Sequence, residues 1–317
     1  MEIKFPYEKI LLPIDGSEHS RRAVKFAGSL GISSGRQLSG ITLLRVITGR
    51  YMKNYLPFFD FRAEILKQSD TFTNYKQRHI ETNILPSLDE CERILRDIGF
   101  EGQIDKVMLE GDPSQEIIRI ADEENFSTII MARRGISEFA GIILGSVTNK
   151  VVHSAIGQTV YIVGQKIPEG KRCPITKVLI PLDGSSYSMK GVIHVASLFQ
   201  ELKDFIDNIT LLKVINVAVY LKRLKEGIDS EEEAEKILNE AKEILLKVNI
   251  PEKIISTKVR VGDPSEEIIR EAEENDYNLI IIGRKGRTAL KDLILGGVST
   301  TVFQRCQDTT ITLVSSE

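Results

Sequence analysis

The chain has 317 residues, 42% of them hydrophobic, and a formal net charge of −3. This length suffices for two domains of ordinary size. The near-neutral balance gives no global positive field, so we predict neither nucleic acid nor a membrane surface as a partner. No apolar run approaches the roughly 18 residues of a membrane span, and the N-terminal MEIKFPYEK lacks the apolar core of a signal peptide. Together with three widely spaced cysteines and no CxxC pair, these features predict a cytoplasmic protein.

Two long segments of the sequence occur twice. GDPSQEIIRIADEENFSTIIMARRG begins at Gly111, and GDPSEEIIREAEENDYNLIIIGRKG begins at Gly262. KILLPIDGS begins at Lys9, and KVLIPLDGS begins at Lys177. Such extended self-similarity indicates an internal duplication. We therefore predict one domain over residues 1–166, a polar linker over 167–175 and a second domain over 176–317.

Apolar runs alternate with amphipathic stretches along the first half. The apolar runs predict strands at 9–15, 37–47, 103–109, 128–131 and 159–163. The amphipathic stretches predict helices at about 17–30, 83–99, 113–125 and 146–154. Strands that alternate with helices indicate a parallel sheet covered by helices on both faces.

The second half repeats this order. Its predicted strands are 177–183, 209–215, 256–261, 279–282 and 310–314, and its long helix is 230–248. Asp229 or Ser230 is suited to cap that helix, and the three glutamates after Ser230 suit the positive end of its dipole.

The extra length of the first half lies at about 48–80, and this insertion is rich in tyrosine and phenylalanine. One interpretation is a packed cap over the sheet edge or a small core of its own. The other is a lid or a surface that docks a protein partner, since long insertions often carry function.

Each half places glycines between a buried strand and the start of a helix. In the second half they are Gly283, Gly286 and Gly296, and the first half has Ala132, Gly135 and Gly145 at the same positions. Residues without a Cβ allow a backbone to approach a ligand closely. The amides and dipole of a helix N-terminus attract anions, so these loops predict anion sites.

Two strands that end in PxDGS, each with a distal G-x2-G-x9-G-[ST] type of loop, resemble the universal stress protein family. The resemblance covers both halves almost entirely and suggests a tandem member. It implies an α/β fold with two five-stranded parallel sheets, each in the adenine-nucleotide α-hydrolase-like order 3-2-1-4-5. It further implies that the two domains pair by pseudo-twofold symmetry. The apolar fifth strands, TVYIV from Thr159 and TITLV from Thr310, are the edges expected to meet. A further homodimer is left open.

The resemblance also implies an ATP or AMP site at the carboxyl edge of each sheet, with or without Mg²⁺. In the second half, Asp183 would contact the adenine, Pro181 and Val214 would pack around it, and the phosphate cradle would be Gly283, Gly286, Gly296, Gly297, Val298 and Ser299. In the first half, the corresponding base residues would be Pro13, Asp15 and Val46, and the cradle would be Ala132, Gly135, Gly145, Ser146, Val147 and Thr148. No residue is assigned to catalysis or to direct metal binding.

Both halves depart from the family pattern. Ala132 replaces the first glycine and adds a methyl group where a ligand and the backbone would meet. Gly297 replaces the Ser or Thr after the last glycine, which removes a hydroxyl but keeps the amide. The second half is therefore expected to bind better. Two features have alternative interpretations. Asp15 and Asp183 also suit a plain turn. The cations of the glycine loops either contact phosphates or are solvated, and they are Arg133, Arg134, Arg284, Lys285 and Arg287.

Three functions follow from this sequence. The first is an adenine-nucleotide-binding regulator of the stress response. The second is a slow ATPase, although the sequence lacks both a Walker A loop and an SGGxDS-type loop. The third is a scaffold that binds no nucleotide and works through protein partners.

Overall fold

The computed structural model describes residues 9–35, 38, 40–48, 70–135, 144–167, 172–227, 229–284 and 295–314. The strands described in the first half, β1 to β5, are Lys9–Pro13, Gly40–Ile47, Gln103–Glu110, Thr128–Ala132 and Thr159–Val163. The helices there, α1 to α5, are Glu18–Ser33, Asp70–His79, Leu85–Asp97, Pro113–Glu123 and Ser146–Ser154. A π-helical turn, Ile80–Ile84, joins α2 to α3.

The second half continues with strands β6 to β10, which are Lys177–Pro181, Asn208–Asn216, Ile255–Gly262, Leu279–Ile282 and Thr310–Leu313. Its helices, α6 to α10, are Ser186–Leu202, Val217–Lys225, Ser230–Lys247, Pro264–Glu274 and Gly297–Arg305. A short 3-10 helix, Glu252–Ile254, precedes β8. The sequence predicts all of these strands within a few residues, but it does not predict α7.

All ten of these strands form one sheet, in the order β3-β2-β1-β4-β5-β10-β9-β6-β7-β8. Each half therefore has the predicted order 3-2-1-4-5, with parallel pairing inside the half. The edges expected to meet, β5 and β10, do pair, antiparallel and with Ile311 opposite Ile162. The prediction of two five-stranded sheets is wrong in that this pairing joins them into one sheet. Both strands are fully buried, and unpaired backbone groups in a buried edge would cost free energy, so the two edges satisfy each other.

Contacts between the halves continue beyond this strand pair. The amides of Gln165 and Lys166 donate to the carbonyls of Gln307 and Asp308, each over 3.0 Å. Between the sheet and the helices that cover it, the hydroxyl of Tyr161 in β5 lies 2.5 Å from Nε2 of His194 in α6. The halves thus share hydrogen bonds along a seam that is longer than the two strands.

The core has two layers, one on each face of the sheet. One face is covered by α1, α3, α6 and α8, which contribute Phe26, Leu95, Val195 and Leu245. The other face is covered by α4, α5, α9 and α10, which contribute Ile117, Val151, Ile268 and Phe303. Parallel strands buried on both sides explain the continuous apolar runs in the sequence.

Most helices that follow a strand begin at a polar cap. Ser17 and Ser185 accept hydrogen bonds from the amides of Ser20 and Ser188, at 3.1 and 3.2 Å. Asp112, Asp263 and Asp229 cap α4, α9 and α8 in the same way. These caps satisfy donors that the first helical turn leaves unpaired. The capped N-termini lie at the carboxyl edge of the sheet.

The insertion predicted at 48–80 falls partly on residues 49–69, which lie outside the described part of the chain. Its described portion, α2 and the π-helical turn, leads directly into α3. Lys76 of α2 forms an ion pair with Glu110 at the end of β3. Both interpretations of the insertion remain predictions. Among the helices of the described ranges, none combines the length and apolarity that crossing a membrane requires.

Candidate functional site

An open cleft of about 500 Å³ lies at the carboxyl ends of β6, β7 and β9 in the second half. Parallel α/β sheets bind ligands in this position, where the strand order reverses. The cleft brings together the predicted residues Pro181, Asp183, Val214, Gly283, Gly296, Gly297, Val298 and Ser299. Gly286 lies outside the described residues. Further apolar wall is supplied by Leu212, Val219 and Ile268.

Asp183 holds a turn at the mouth of β6. One carboxylate oxygen accepts a 2.9 Å hydrogen bond from the amide of Ser185, and Lys213 donates to the Asp183 carbonyl over 3.1 Å. Asp15 makes the same turn with the amide of Ser17, at 3.0 Å. The turn interpretation of the two aspartates is therefore correct, and Asp183 also lines the cleft. The turn fixes the direction in which the carboxylate points.

Helix α10 begins at the cleft without a side-chain cap. Its N-cap, Gly296, uses its own amide to reach the Arg284 carbonyl over 2.8 Å. The amides of Gly297, Val298 and Ser299 then form the first turn, where helical geometry provides no acceptor. Helix α5 repeats this arrangement, with Gly145 bonded to the Arg133 carbonyl at 2.9 Å and no side-chain cap. These two starts contrast with the serine and aspartate caps elsewhere.

The hydroxyls of Ser299 and Thr148 face the sheet. Ser299 donates to the Gly283 carbonyl over 3.0 Å, and Thr148 donates to the Ala132 carbonyl over 2.9 Å. Both side chains are buried. Each hydroxyl therefore links the start of a helix to the end of a strand. The group of each residue that can still donate to an anion is its backbone amide.

Gly283 is needed for packing against α6. A Cβ at this position would lie 2.6 Å from the Tyr187 carbonyl oxygen and 2.9 Å from the Ser188 amide nitrogen. The expectation that a methyl group here would meet the ligand is therefore wrong, because it would meet the backbone of a helix. The first half accommodates the methyl of Ala132, which is nearly buried. Ala132 is then no argument against binding in the first half.

We expect Gly283→Ala to reduce the free energy of unfolding by about 1–2 kcal/mol, because α6 must move away from β9. Thermal and urea unfolding would measure the loss. Ala132→Gly is the matched variant, and it should change stability by less than about 1 kcal/mol. An unfolding free energy unaffected by Gly283→Ala would show that α6 yields without cost.

Arg133 and Arg284 are buried between the two halves, with exposed fractions of 3% and 1%. The expectation that they contact phosphates or are solvated is wrong for both. Arg284 donates to the carbonyls of Val152, over 3.0 Å, and Ala155, at the end of α5. Arg133 donates to the Phe303 carbonyl near the end of α10. Burial lowers the pKa of each guanidinium to about 10, which leaves both protonated at neutral pH.

In the first half, Gly135 lies directly against the carboxylate of Asp15. A Cβ on Gly135 would clash with Oδ2 of Asp15 and lie 3.3 Å from its Cγ. The structure therefore joins the loop glycine to the aspartate at the end of the first strand. Pro13 and Val46 lie at the carboxyl ends of the neighbouring strands, and Ser146 and Val147 begin α5.

The family model described as the universal stress protein family matches residues 6–160 and again residues 174–311. The chain belongs to the universal stress protein family. Two matches in succession make it a tandem member, as the internal repeat predicts.

Three universal stress proteins illustrate the likeness. MJ0577 of Methanocaldococcus jannaschii is 29% identical over 148 residues, which are 46% of this chain and 88% of that protein. YxiE of Bacillus subtilis is 32% identical over 138 residues, 40% of this chain and 91% of that protein. A crystal structure from Archaeoglobus fulgidus DSM 4304 matches with a TM-score of 0.65 at 21% identity, covering 98% of this chain and 99% of that one. That likeness shows a fold shared over both halves.

The sequence does not predict two charged residues that line the cleft of this universal stress protein. Arg223 of α7 forms an ion pair with Glu233 of α8, and both line the cleft. The signal for α7 is hidden, because Val217 and Val219 extend the β-branched run of β7. The usable clue is Asn216, whose side chain accepts the amide of Ala218 over 3.0 Å and so starts the helix.

No group of three or more His, Cys, Asp or Glu side chains that could hold a metal ion occurs within the described ranges. Asp183 and Glu233 are the carboxylates that line the cleft. One holds a turn and the other is ion-paired.

Proposed function

We propose that this universal stress protein binds an adenine nucleotide, ATP or AMP, in the cleft of its second half. The observation that carries the proposal is the uncapped start of α10 inside an apolar-walled cleft. Gly297, Val298 and Ser299 line that cleft with first-turn amides, and Pro181 and Val214 line its apolar wall. The amides suit phosphate, and the apolar wall suits the flat face of a base.

The cleft volume of about 500 Å³ falls in the range of small-ligand sites. Its charged groups also fit a nucleotide. Lys213 adds positive charge beside Asp183, and Arg223 of α7 adds a second cation, which is ion-paired with Glu233. The preference for adenine rests on the family resemblance of the PxDGS strand and the glycine loop.

We propose a second nucleotide site in the first half. Helix α5 starts there with the same uncapped geometry, and Ser146 supplies a hydroxyl that the second half lacks. Asp15 and Gly135 are in contact, as a shared pocket wall requires. In this proposal the chain serves the stress response as a regulator whose state depends on the nucleotide that it holds.

Calorimetric titration of the full chain with ATP, AMP and GTP, together with native mass spectrometry of the purified protein, would test the proposal. Gly297→Asp is a sharp variant, because a Cβ at Gly297 meets nothing within 4 Å. A carboxylate there suits the helix dipole but repels phosphate. We expect it to weaken binding in the second half at least tenfold without loss of stability.

Gly157→Asp is the matched control, because Gly157 is also open and exposed but lies away from the cleft. It should leave binding unchanged. No adenine nucleotide bound at millimolar concentration would contradict the proposal and favour the scaffold function. Phosphate release that Asp183→Ala abolishes would instead assign the slow ATPase.

We expect Gly297→Ser to tighten ATP binding in the second half more than AMP binding. A hydroxyl at the first helical residue adds one donor toward the outer phosphates, as Ser146 does in the first half. One neutral hydrogen bond contributes about 0.5–1.5 kcal/mol, a gain of several-fold in affinity. The same titrations would measure it, with Ser146→Gly as the reciprocal variant. Equal changes for ATP and AMP would mean that the position does not face the outer phosphates.

A further inference from the structure

Two arginines cross between the halves in a reciprocal pattern. Arg284, which follows β9, donates to the carbonyls of Val152, Ala155 and Gln158 in the first half. Arg133, at the matching position after β4, donates to the carbonyl of Phe303 in the second half. Each guanidinium therefore holds the C-terminal end of the last helix of the opposite half.

Each arginine also belongs to the loop of its own proposed site. The Arg284 carbonyl accepts the amide of Gly296, the N-cap of α10, over 2.8 Å. The Arg133 carbonyl accepts the amide of Gly145, the N-cap of α5, over 2.9 Å. The backbone of one residue thus fixes one site, while its side chain reaches the other half.

Each helix that accepts hydrogen bonds from an arginine of the other half begins at the proposed site of its own half. Helix α5 has its first-turn amides at the first-half site and its C-terminal carbonyls on Arg284. A helix of nine residues is only about 14 Å long, so the two ends are rigidly connected. An anion at the N-terminus and a cation at the C-terminus both interact favourably with the same dipole.

The two crossings are unequal. Arg284 contacts three carbonyls and Arg133 contacts one. Among the described residues, Nε of Arg284 and both Nε and Nη2 of Arg133 are buried without a hydrogen-bond partner. Helix α5 therefore holds Arg284 more firmly than α10 holds Arg133. Substitution of Arg284 should have the larger effect.

We propose that Arg133 and Arg284 couple the two nucleotide sites, so that a nucleotide bound in one half tightens binding in the other. Nucleotide at the start of α5 fixes that helix, its carbonyls fix Arg284, and the Arg284 carbonyl holds the start of α10 in position for phosphate. The reverse path runs through α10 and Arg133. This inference rests on the proposed nucleotide sites, and Arg133 and Arg284 act in it as positioning residues that touch no ligand.

Calorimetric titration with AMP would measure the coupling. Asp15→Ala is expected to disable the first-half site and so leaves the second-half site alone. We expect AMP to bind that site at least threefold more weakly than it binds the same site in the wild-type chain when the first half is filled. In Arg284→Met the difference between the chains with and without Asp15→Ala should disappear. In Arg119→Met, a surface arginine of α4 that is ion-paired with Glu116, the difference should remain.

A second measurement avoids any arginine substitution, in case Arg284→Met fails to fold. Hydrogen exchange of the Asp15→Ala chain would be compared with and without AMP. We expect AMP in the second half to slow exchange in α5 of the first half. Asp183→Ala is the mirror variant, and slower exchange is then expected in α10.

The outcomes separate the two ideas. Binding of neither AMP nor ATP in the wild type and in both aspartate variants would defeat the proposed function itself. A single occupied site, two independent sites, or coupling that survives in Arg284→Met would overturn the coupling and leave nucleotide binding intact. Slower exchange confined to the half that binds AMP would overturn it as well.

Discussion

Gly164→Ala is expected to lower the free energy of unfolding by about 3 kcal/mol, at the upper end for overpacking at a buried position. Gly164 is buried at the seam between the halves and donates its amide to the Thr310 hydroxyl over 3.1 Å. A Cβ there would lie 2.6 Å from the Thr309 carbonyl carbon and would also clash with the Asp308 carbonyl oxygen. These atoms are backbone and cannot rotate away, so the two halves must move apart. Urea unfolding followed by circular dichroism would measure the loss.

Gly157→Ala is the control for this variant. Gly157 lies in the same half, just before β5, and a Cβ there meets nothing within 4 Å. It should change stability by less than about 0.5 kcal/mol. If Gly164→Ala behaved like this control, the close approach of residues 164 and 308–309 could not be part of the folded state.

Glu271→Ala is expected to cost about 2 kcal/mol of stability. Glu271 of α9 is fully buried and lies 2.5 Å from both Lys258 and Arg260 of β8. Removing one partner of a buried ion pair leaves charge without compensation and typically costs about 3–5 kcal/mol. We expect less here, because the side chains of Lys258 and Arg260 are 39% and 23% exposed and water reaches them. Thermal unfolding at neutral pH would measure it.

The first half supplies the matched control for this network. At the same positions it has only apolar residues, namely Val107, Leu109, Ile120 and Phe126 in place of Lys258, Arg260, Glu271 and Tyr277. Replacing buried ion-paired groups by packed apolar side chains is often neutral or stabilising. Glu267, which also pairs with Arg260, keeps its ion pair with Arg270 in such a variant. The fourfold variant K258V, R260L, E271I, Y277F should therefore lie within about 1 kcal/mol of the wild type or above it. A loss as large as that of Glu271→Ala would show that the ions stabilise the fold outright.

The same ionic network predicts that the free energy of unfolding falls at acidic pH, which gives the stability profile an acid limb. Burial alone would raise the pKa of Glu271, but hydrogen bonds and charge from Lys258 and Arg260 outweigh it and lower the pKa below its ordinary value of 4.5. A lowered pKa in the folded state means that the contribution is complete above about pH 4.5 and is lost as the pH falls below it. The fourfold variant should lack this part of the acid limb. Identical acid limbs in both proteins would assign the limb to other carboxylates.

Most of the fold could be predicted from the sequence, because both halves show the same order of apolar and amphipathic segments. Runs such as Leu279–Ile282 and Thr159–Val163 are continuous and apolar, which only strands buried on both faces require. The caps Asp112 and Asp263 precede prolines that begin helices, so these boundaries were also predictable. The meeting of the two fifth-strand edges was expected from the family resemblance and their apolar residues, but the hydrogen-bonded register that makes one sheet of two depends on strands far apart in the chain.

Parts of the candidate site were less accessible. The backbone positions of Gly296 and Gly145 follow from the glycine pattern, because a loop before a helix is a local feature. The roles of Arg284 and Gly283 do not, because each is decided by an element far away in the chain. A loop arginine usually points to solvent, and only the approach of the opposite half turns it inward.

The place of β10 in the sheet affects how the protein is made. Strand β10 lies between β5 and β9, near the middle of the sheet, yet it is the last of the described strands to leave the ribosome. From residue 163 to residue 310, synthesis takes roughly 7–30 s at ordinary rates. Throughout that interval the apolar edge of β5 has no partner, which is a condition that favours pairing with a neighbouring nascent chain. The β5 edge is therefore exposed to such pairing during translation until β10 has been made.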